Sequence, residues 1–157
     1  MQIRAHNQTD FDQLAELRWL LKASDDPTVS QTEQHSFKRS FCKQLQLSES
    51  LGDSIHWGID DQPKLAGALT IRVVRKELSP SCETGASGYL TNTFVRKDLR
   101  GRGLGSQLLK RAIGWANEEH LELLIVWPSE HSYPFYRRAG FRGESDPLEL
   151  ALQNTST

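Results

Sequence analysis

Apolar residues recur at helical spacing near the start of the chain, at Phe11, Leu14, Leu17, Trp19, Leu20 and Leu21, and predict a helix running to Lys22. Thr9 is placed to cap it, and Asp10 and Asp12 fall in a first turn where the helix dipole favours acids. Residues 2–6 before it read as a short strand with Ile3 as the clearest apolar member, and Asp25-Asp26-Pro27 stops the helix. A second helix is expected over 31–47, with Phe37, Phe41 and Leu45 on a narrow apolar face. So polar a helix belongs at the periphery, where it could cover a site. The period then becomes that of strands. Residues 54–60 centre on Ile55-His56-Trp57-Gly58-Ile59, Asp61-Gln62-Pro63 forms a turn, and 65–74 makes a longer strand, so the pair reads as an antiparallel hairpin. A loop is expected over 76–87 and a strand over 88–95. A strongly amphipathic helix follows over 103–119, carrying Ala112, Ile113, Trp115 and Ala116 beside its leucines. Residues 121–127 are a continuous apolar run of the kind buried on both faces. A short helix over 133–139 should end at Gly140, and the chain from Phe141, with 148–152, should close the sheet. One α/β domain spanning 1–157 is the expectation.

Composition narrows the classes. The chain has 157 residues, 37% hydrophobic and 25% charged, as in a globular protein with a real core. Its net charge of −1 supplies no basic field for nucleic acid. Cys42 and Cys82 are too few for a disulfide framework. No apolar run approaches a membrane span, and the first residues lack the apolar core of a signal peptide. A cytoplasmic location is expected, with neither nucleic acid nor membrane as a partner.

The candidate chemistry lies in Arg100-Gly101-Arg102-Gly103-Leu104-Gly105-Ser106, between a predicted strand and a predicted helix. Glycines let the backbone approach a ligand closely, and unpaired amides at a helix start favour an anion such as phosphate. A Walker A loop needs Gly-Lys followed by Ser or Thr, which the chain lacks. A dinucleotide fingerprint counted from Gly101 finds Ser106 where its third glycine belongs. The spacing that fits is Arg-x-x-Gly-x-Gly, made by Arg100, Gly103 and Gly105.

That spacing, flanked by strand and helix, resembles the Gcn5-related N-acetyltransferase (GNAT) family, which holds the pyrophosphate of acetyl-CoA in this way. The likeness extends to Phe94-Val95 upstream, to the helix and apolar strand downstream, and to Phe135-Tyr136-Arg137-Arg138-Ala139-Gly140-Phe141. It implies an α/β (α+β) fold, with a mixed, mostly antiparallel central sheet flanked by helices. It implies an N-acetyltransferase that moves the acetyl group of acetyl-CoA to a primary amine of a small molecule, or to an exposed peptide amino group, by direct attack. The strand before the turn bulges in this family and splays from its parallel neighbour to admit pantetheine. Main-chain groups of Phe94 and Val95 would pair with the pantetheine, and the Val95 N–H would polarise the thioester carbonyl. The amides of Gly101, Arg102, Gly103, Leu104, Gly105 and Ser106 would hold pyrophosphate, helped by the side chains of Arg100 and Arg102. Tyr136, followed by Gly140 and Phe141 at the family's offsets, would protonate the departing thiolate; a phenol is neutral at pH 7 and able to donate. The family's Asn seven residues before this Tyr is replaced by Ser129. Pro134 favours a helix start at Ser132, so either serine is a candidate for the cofactor contact.

A general base is not legible. The strand before the turn carries no carboxylate, and Glu33, His35, Glu83, Glu130 and His131 fall in segments that could border an acceptor pocket. Water held by Thr91 or Asn92 is an equal candidate. Trp19, Trp115 and Trp127 suit packing, Trp57 is open to either reading, and His56 reads as a surface residue. No Cys/His spacing suggests a metal. Two alternatives keep the fold: a transferase using another acyl-CoA, and a CoA-binding sensor without catalysis. The resemblance is also compatible with a homodimer.

Overall fold

The computed structural model describes residues 1–25, 30–78, 80 and 84–143. The chain forms two compact units, Met1–Trp127 and Pro128–Thr157. The first contains a five-stranded sheet of β1 (Gln2–His6), β2 (Ser54–Asp61), β3 (Lys64–Arg75), β4 (Ala86–Val95) and β5 (Leu124–Val126), in that spatial order. Neighbours are antiparallel from β1 to β4, and β5 runs parallel to β4. The expected mixed, mostly antiparallel sheet and its β2–β3 hairpin are both present. The expected closing strand at 148–152 lies outside the described residues.

Helices α1 (Phe11–Asp25) and α2 (Gln31–Leu51) cover one face. Phe11, Leu14 and Leu17 of α1 and Leu45 of α2 pack on Leu65, Ala68 and Phe94. Ala68 and Phe94 are register partners, and paired residues share a face, so their strands are oriented by this one cluster. Each large side chain buried here contributes about 1.5–3 kcal/mol. Helix α3 (Leu104–Glu118) buries Leu108, Leu109, Ala112 and Ala116 and packs on β2, β3 and β4. The Arg111 guanidinium of α3 stands 4.3 Å from the Trp57 ring centre, so Trp57 belongs to the opposite face from the α1 cluster.

Local chemistry sets the helix ends. Asn7, not Thr9, caps the first: its side chain accepts from the Thr9 N–H while Asp10 accepts from the Asn7 N–H, a capping box around a 3-10 turn that leads into α1. Thr9 instead donates its hydroxyl to Asn7. Asp10 is also gripped by two Arg4 nitrogens at 2.9 and 2.8 Å, and Arg4 Nε reaches Asp60 at 2.7 Å. Arg4 thus ties β1, β2 and the entrance to α1 together and holds the Asp10 carboxyl down at about 2. Helix α2 is longer than expected because it runs to Gly52, where φ of 63° allows the Gly52 and Asp53 N–H groups to close on Glu49 and Ser48.

Two expectations fail on this sheet. The apolar run 121–127 is not buried on both faces. Only 124–126 pair as a strand, and Leu123, Ile125 and Trp127 are 46%, 41% and 47% exposed. Among the described residues α1 packs on β3 and β4 and α2 on β2, so this row falls beyond their cover. His56, expected at the surface, is buried at 5% exposure. It faces α1 with its Nδ1 sharing a 2.9 Å hydrogen bond with Thr70 Oγ1 and its ring edge-on to Phe11.

His6 is the register partner of His56 and is also buried, its ring filling the space over Gly58. Burial disfavours the charged form of both and pushes His56 down to about 4, with Arg72 and His6 repelling a charge there as well. The unfolded chain therefore binds more protons than the native state between about 6.5 and 4, and stability falls as pH falls through that window. His56 alone should make the protein about 2 kcal/mol less stable at pH 5 than at pH 7. Urea unfolding at the two pH values checks this, and His56→Gln should remove most of that difference.

Candidate functional site

The site is built on an irregularity in β4. Ala68 pairs with Phe94 but Thr70 pairs with Thr91, so three steps of β4 oppose two of β3 and β4 bulges at Asn92 and Thr93. Asn92 has φ of 56°, a left-handed conformation that asparagine tolerates better than most residues. On the other side, β5 pairs with β4 only at Gly88, Tyr89 and Leu90. β5 ends at Val126, so from Thr91 onward β4 has no parallel partner strand among the described residues.

The phase of the β3 ladder decides which groups face the unpaired side of β4. The Arg96 N–H donates to the Ala66 carbonyl at 2.8 Å. Alternation along an antiparallel pair then turns the main chain of Phe94 towards β3 and that of Val95 away from it, to the open side. The Val95 carbonyl accepts from Arg100 Nε at 2.9 Å, and the Arg100 guanidinium carbon lies 5.3 Å from the Phe94 ring centre. Of the two residues expected to offer main-chain groups, Val95 turns its main chain away from β3 and Phe94 turns its own towards it. Phe94 contributes its ring to the core. Gly67 allows the close approach of β3 here, since a Cβ would stand 2.6 Å from the Phe94 oxygen.

After β4 the chain makes a 3-10 turn at Lys97–Leu99, anchored by buried Leu99. Arg96 fixes this corner to the β2–β3 hairpin, through Asp61 at 3.1 Å and Asp98 at 2.9 Å. The bond to Asp61 joins residues 35 apart in the chain and left no local signal in the sequence. Gly101 and Gly103 have φ of 77° and 74°, and a Cβ on either would meet nothing within 4 Å. These glycines are required by backbone conformation, and space is left beside them. Gly103 precedes α3 with no side chain capping the helix, and the Gln107 N–H makes the bond back to Gly103. The amides of Leu104, Gly105 and Ser106 therefore open the helix ahead of its hydrogen-bond ladder. Arg102 and Ser106 are exposed beside them.

In the second unit, a 3-10 turn at Glu130–Ser132 leads into α4 (Tyr133–Arg138), with Pro134 in its first turn as expected. Ser129 Oγ donates to Ser132 Oγ at 3.2 Å, and Ser132 Oγ donates to the Ser129 carbonyl at 2.9 Å. Tyr136 is buried, its ring edge-on to Phe135 and Phe141. Gly140, at φ of 97°, stops the helix: Phe141 N–H bonds to the Tyr136 carbonyl and Gly140 N–H to that of Arg137. This is a Schellman stop with its accompanying hydrophobic contact. The spacing of Tyr136, Gly140 and Phe141 thus has a local structural cause as well as a family one.

The base candidates divide. Glu33 closes the capping box of α2 with Ser30, and His35 lies beside Arg39 on an exposed surface. Glu130 and His131 are exposed in the second unit, and Glu83 lies outside the described residues. Asn92 is buried in the bulge with both amide atoms unpartnered, and the Thr93 hydroxyl beside it is buried and unpartnered too. Among the described residues no group of three or more His, Cys, Asp or Glu could hold a metal ion. No described helix is long and apolar enough to cross a membrane.

An open mixed sheet with one short parallel pair, its β4 leading into a glycine-rich helix start, matches the acyl-CoA N-acyltransferase fold. The family model described as the acetyltransferase (GNAT) family matches residues 11–141. The chain belongs to that family. Solved structures agree on the fold. A predicted acetyltransferase with acetyl-CoA from Clostridium acetobutylicum has a TM-score of 0.80 at 19% identity, over 96% of this chain and 95% of that one. A GCN5-related N-acetyltransferase from Ralstonia eutropha has 0.77 at 18%, over 96% and 97%. Glucosamine-6-phosphate N-acetyltransferase from Arabidopsis thaliana has 0.74 at 19%, over 97% and 98%. No curated protein matches the chain in sequence.

Gly67→Ala should lower stability by about 1–3 kcal/mol, because the added methyl must push β3 off the Phe94 carbonyl. Chemical denaturation checks this, and an unchanged midpoint would show that the two strands have room to part.

Proposed function

We propose that this protein transfers the acetyl group of acetyl-CoA to a primary amine, carried by a small molecule or by an exposed amino group. The observation that carries the reading is the edge of β4 left unpaired after Leu90, where β5 ends, leading into the open glycine turn. Acetyl-CoA, when bound, supplies an acetyl thioester that an amine converts to an amide with release of the thiol. The described residues fit such a molecule. Gly101 and Gly103 leave space where a side chain would intrude, and the amides of Leu104 to Ser106 offer donors to a pyrophosphate. The side chain of Arg102 adds charge there. Val95 offers its N–H to the thioester carbonyl, where donors placed in advance stabilise the charge that gathers during attack. Arg100 holds the Val95 carbonyl and so fixes the orientation of that peptide.

Tyr136 is assigned the proton for the departing thiolate, on the family spacing with Gly140 and Phe141. Ser129 and Ser132 remain the two candidates for a further cofactor contact. The acceptor of the Arabidopsis neighbour, glucosamine-6-phosphate, is an amine, which supports the amine class without naming this protein's own acceptor.

A second reading, a CoA-binding sensor without catalysis, is favoured by one observation. β4 carries no carboxylate, and the motif around Tyr136 is accounted for by its helix stop. The two readings separate on turnover. Calorimetric titration should show acetyl-CoA binding, and thiol release across a panel of amines, aminoglycosides, amino acids and peptides should identify an acceptor. Tyr136→Phe should then lower kcat about 100-fold while leaving the acetyl-CoA Kd within about twofold. Binding without turnover on any amine favours the sensor, faster release from longer acyl-CoAs reassigns the donor, and no binding at millimolar acetyl-CoA overturns the family reading of the site.

A further inference from the structure

We propose that Arg72, Tyr89 and Trp127 seat an anionic group, a carboxylate or a phosphate, carried by the amine acceptor. The inference rests on the transfer reading above and narrows its acceptor to amines that also bear a negative charge.

The three side chains are neighbours by register. Register partners share a face, and Ser54, Arg72, Tyr89 and Ile125 make one row across β2, β3, β4 and β5. Trp127 follows Ile125 by two residues, just past the end of β5, and its ring stands edge-on to Tyr89 at 4.7 Å. The row lies on the face that α1 covers. Two residues along the strands, the pair His56 and Thr70 is buried, with the Phe11 ring against His56. That cover ends at the row itself. Arg72 and Tyr89 are half-buried, Trp127 is 47% exposed, and Val74 beyond them is exposed. A solute can therefore reach all three.

Arg72 is a charge without a counter-charge. Arg4 and Arg96, also half-buried, each hold two carboxylates. Among the described residues no carboxylate pairs with Arg72, Asp53 beside its partner Ser54 included. Its guanidinium lies near enough to buried His56 to disfavour a charge there, so it rests against this face of the sheet. A guanidinium partly removed from water attracts an anion more strongly than one in bulk solvent. Its fork takes a carboxylate or phosphate through two parallel bonds. The Tyr89 phenol adds a donor on the same row, and the exposed ring of Trp127 suits the apolar body of a ligand.

The row also lies next to the proposed donor site. Tyr89 stands two residues before Thr91, where the edge of β4 becomes free. Val95, assigned to the thioester, is six residues beyond Tyr89, about 20 Å of extended strand and less through the bulge. An acceptor that spans the two therefore carries its charge well away from its amine, as a short peptide does.

Matched tetrapeptides test this: one with a free C-terminus, its C-terminal amide, and the same amide ending in phosphoserine. Thiol release from acetyl-CoA should show kcat/KM about tenfold higher for a charged peptide than for the neutral amide. Whichever charged peptide leads distinguishes a carboxylate site from a phosphate site. Arg72→Gln should bring that ratio near one by raising KM for the charged peptide, and Arg72→Lys, which keeps the charge without the fork, should fall between. Equal rates on all three peptides, or Arg72→Gln slowing charged and neutral peptides alike, would overturn the site and leave the transfer reading in place. A readout without turnover separates the two readings. The Trp127 indole N–H resonance, identified by Trp127→Phe, should shift on adding a charged peptide and not the neutral amide, and Arg72→Gln should abolish the shift. No shift overturns the site, and a shift without turnover on any amine keeps an anion site but overturns its use for an acceptor.

Discussion

Every buried N–H and C=O must find a partner, and β4 gives up one of its two neighbouring strands after Leu90. The remaining ladder to β3 can satisfy only alternate residues beyond that point. The main chain of Val95 therefore turns away from β3, and its carbonyl is met by Arg100. The left-handed Asn92, the close approach at Gly67 and the sharp corner held by Arg96 all serve to keep this edge in place. A regular β4 paired along its whole length would be the more stable sheet and would leave no free edge beyond Leu90. The geometry of the site is thus a cost borne by one strand and sustained by the elements around it.

That support is largely electrostatic at the corners and apolar at the centre. Arg4 secures the entrance to α1 through Asp10 and Asp60, and Arg96 secures the exit from β4 through Asp61 and Asp98. Both arginines work in partly exposed settings, where an isolated surface pair is worth little. Their value is that each joins segments distant in sequence and makes more than one contact. Between them lie the Phe11, Leu14 and Phe94 cluster and the buried pair His6 and His56. Those neutral rings give the interior polar groups without fixed charge. They also make the sheet sensitive to acid.

The elements were legible wherever periodicity was strong. Both long helices, the hairpin and the helix after the glycine turn fell where the apolar spacing put them, and the glycine turn led to the right family. Errors came where the deciding partner was remote. Thr9 looked like a cap, but Asn7 took the role because Asp10 could close the box and Arg4 could fix it. His56 alternates with the apolar Ile55 and Trp57, and only the register with Thr70 and the packing of Phe11 show that its face is also buried. The run 121–127 read as doubly buried because apolar content says nothing about how far the helices of one layer extend. The bulge was invisible in composition, although the resemblance implied it. An asparagine in a strand was its sole local signal.

The division between legible and illegible also follows the chemistry of recognition. A donor held by main-chain groups asks for few particular side chains. It needs glycines where φ is positive, a strand with the right phase, and a helix start without a capping side chain, and such demands leave spacing in the sequence. The exposed end of the sheet is different in kind. Arg72 and Tyr89 are register partners, and Trp127 lies edge-on to Tyr89 at 4.7 Å, just past the end of β5. Such a surface is assembled from side chains that register brings together across three strands, so no contiguous motif can encode it.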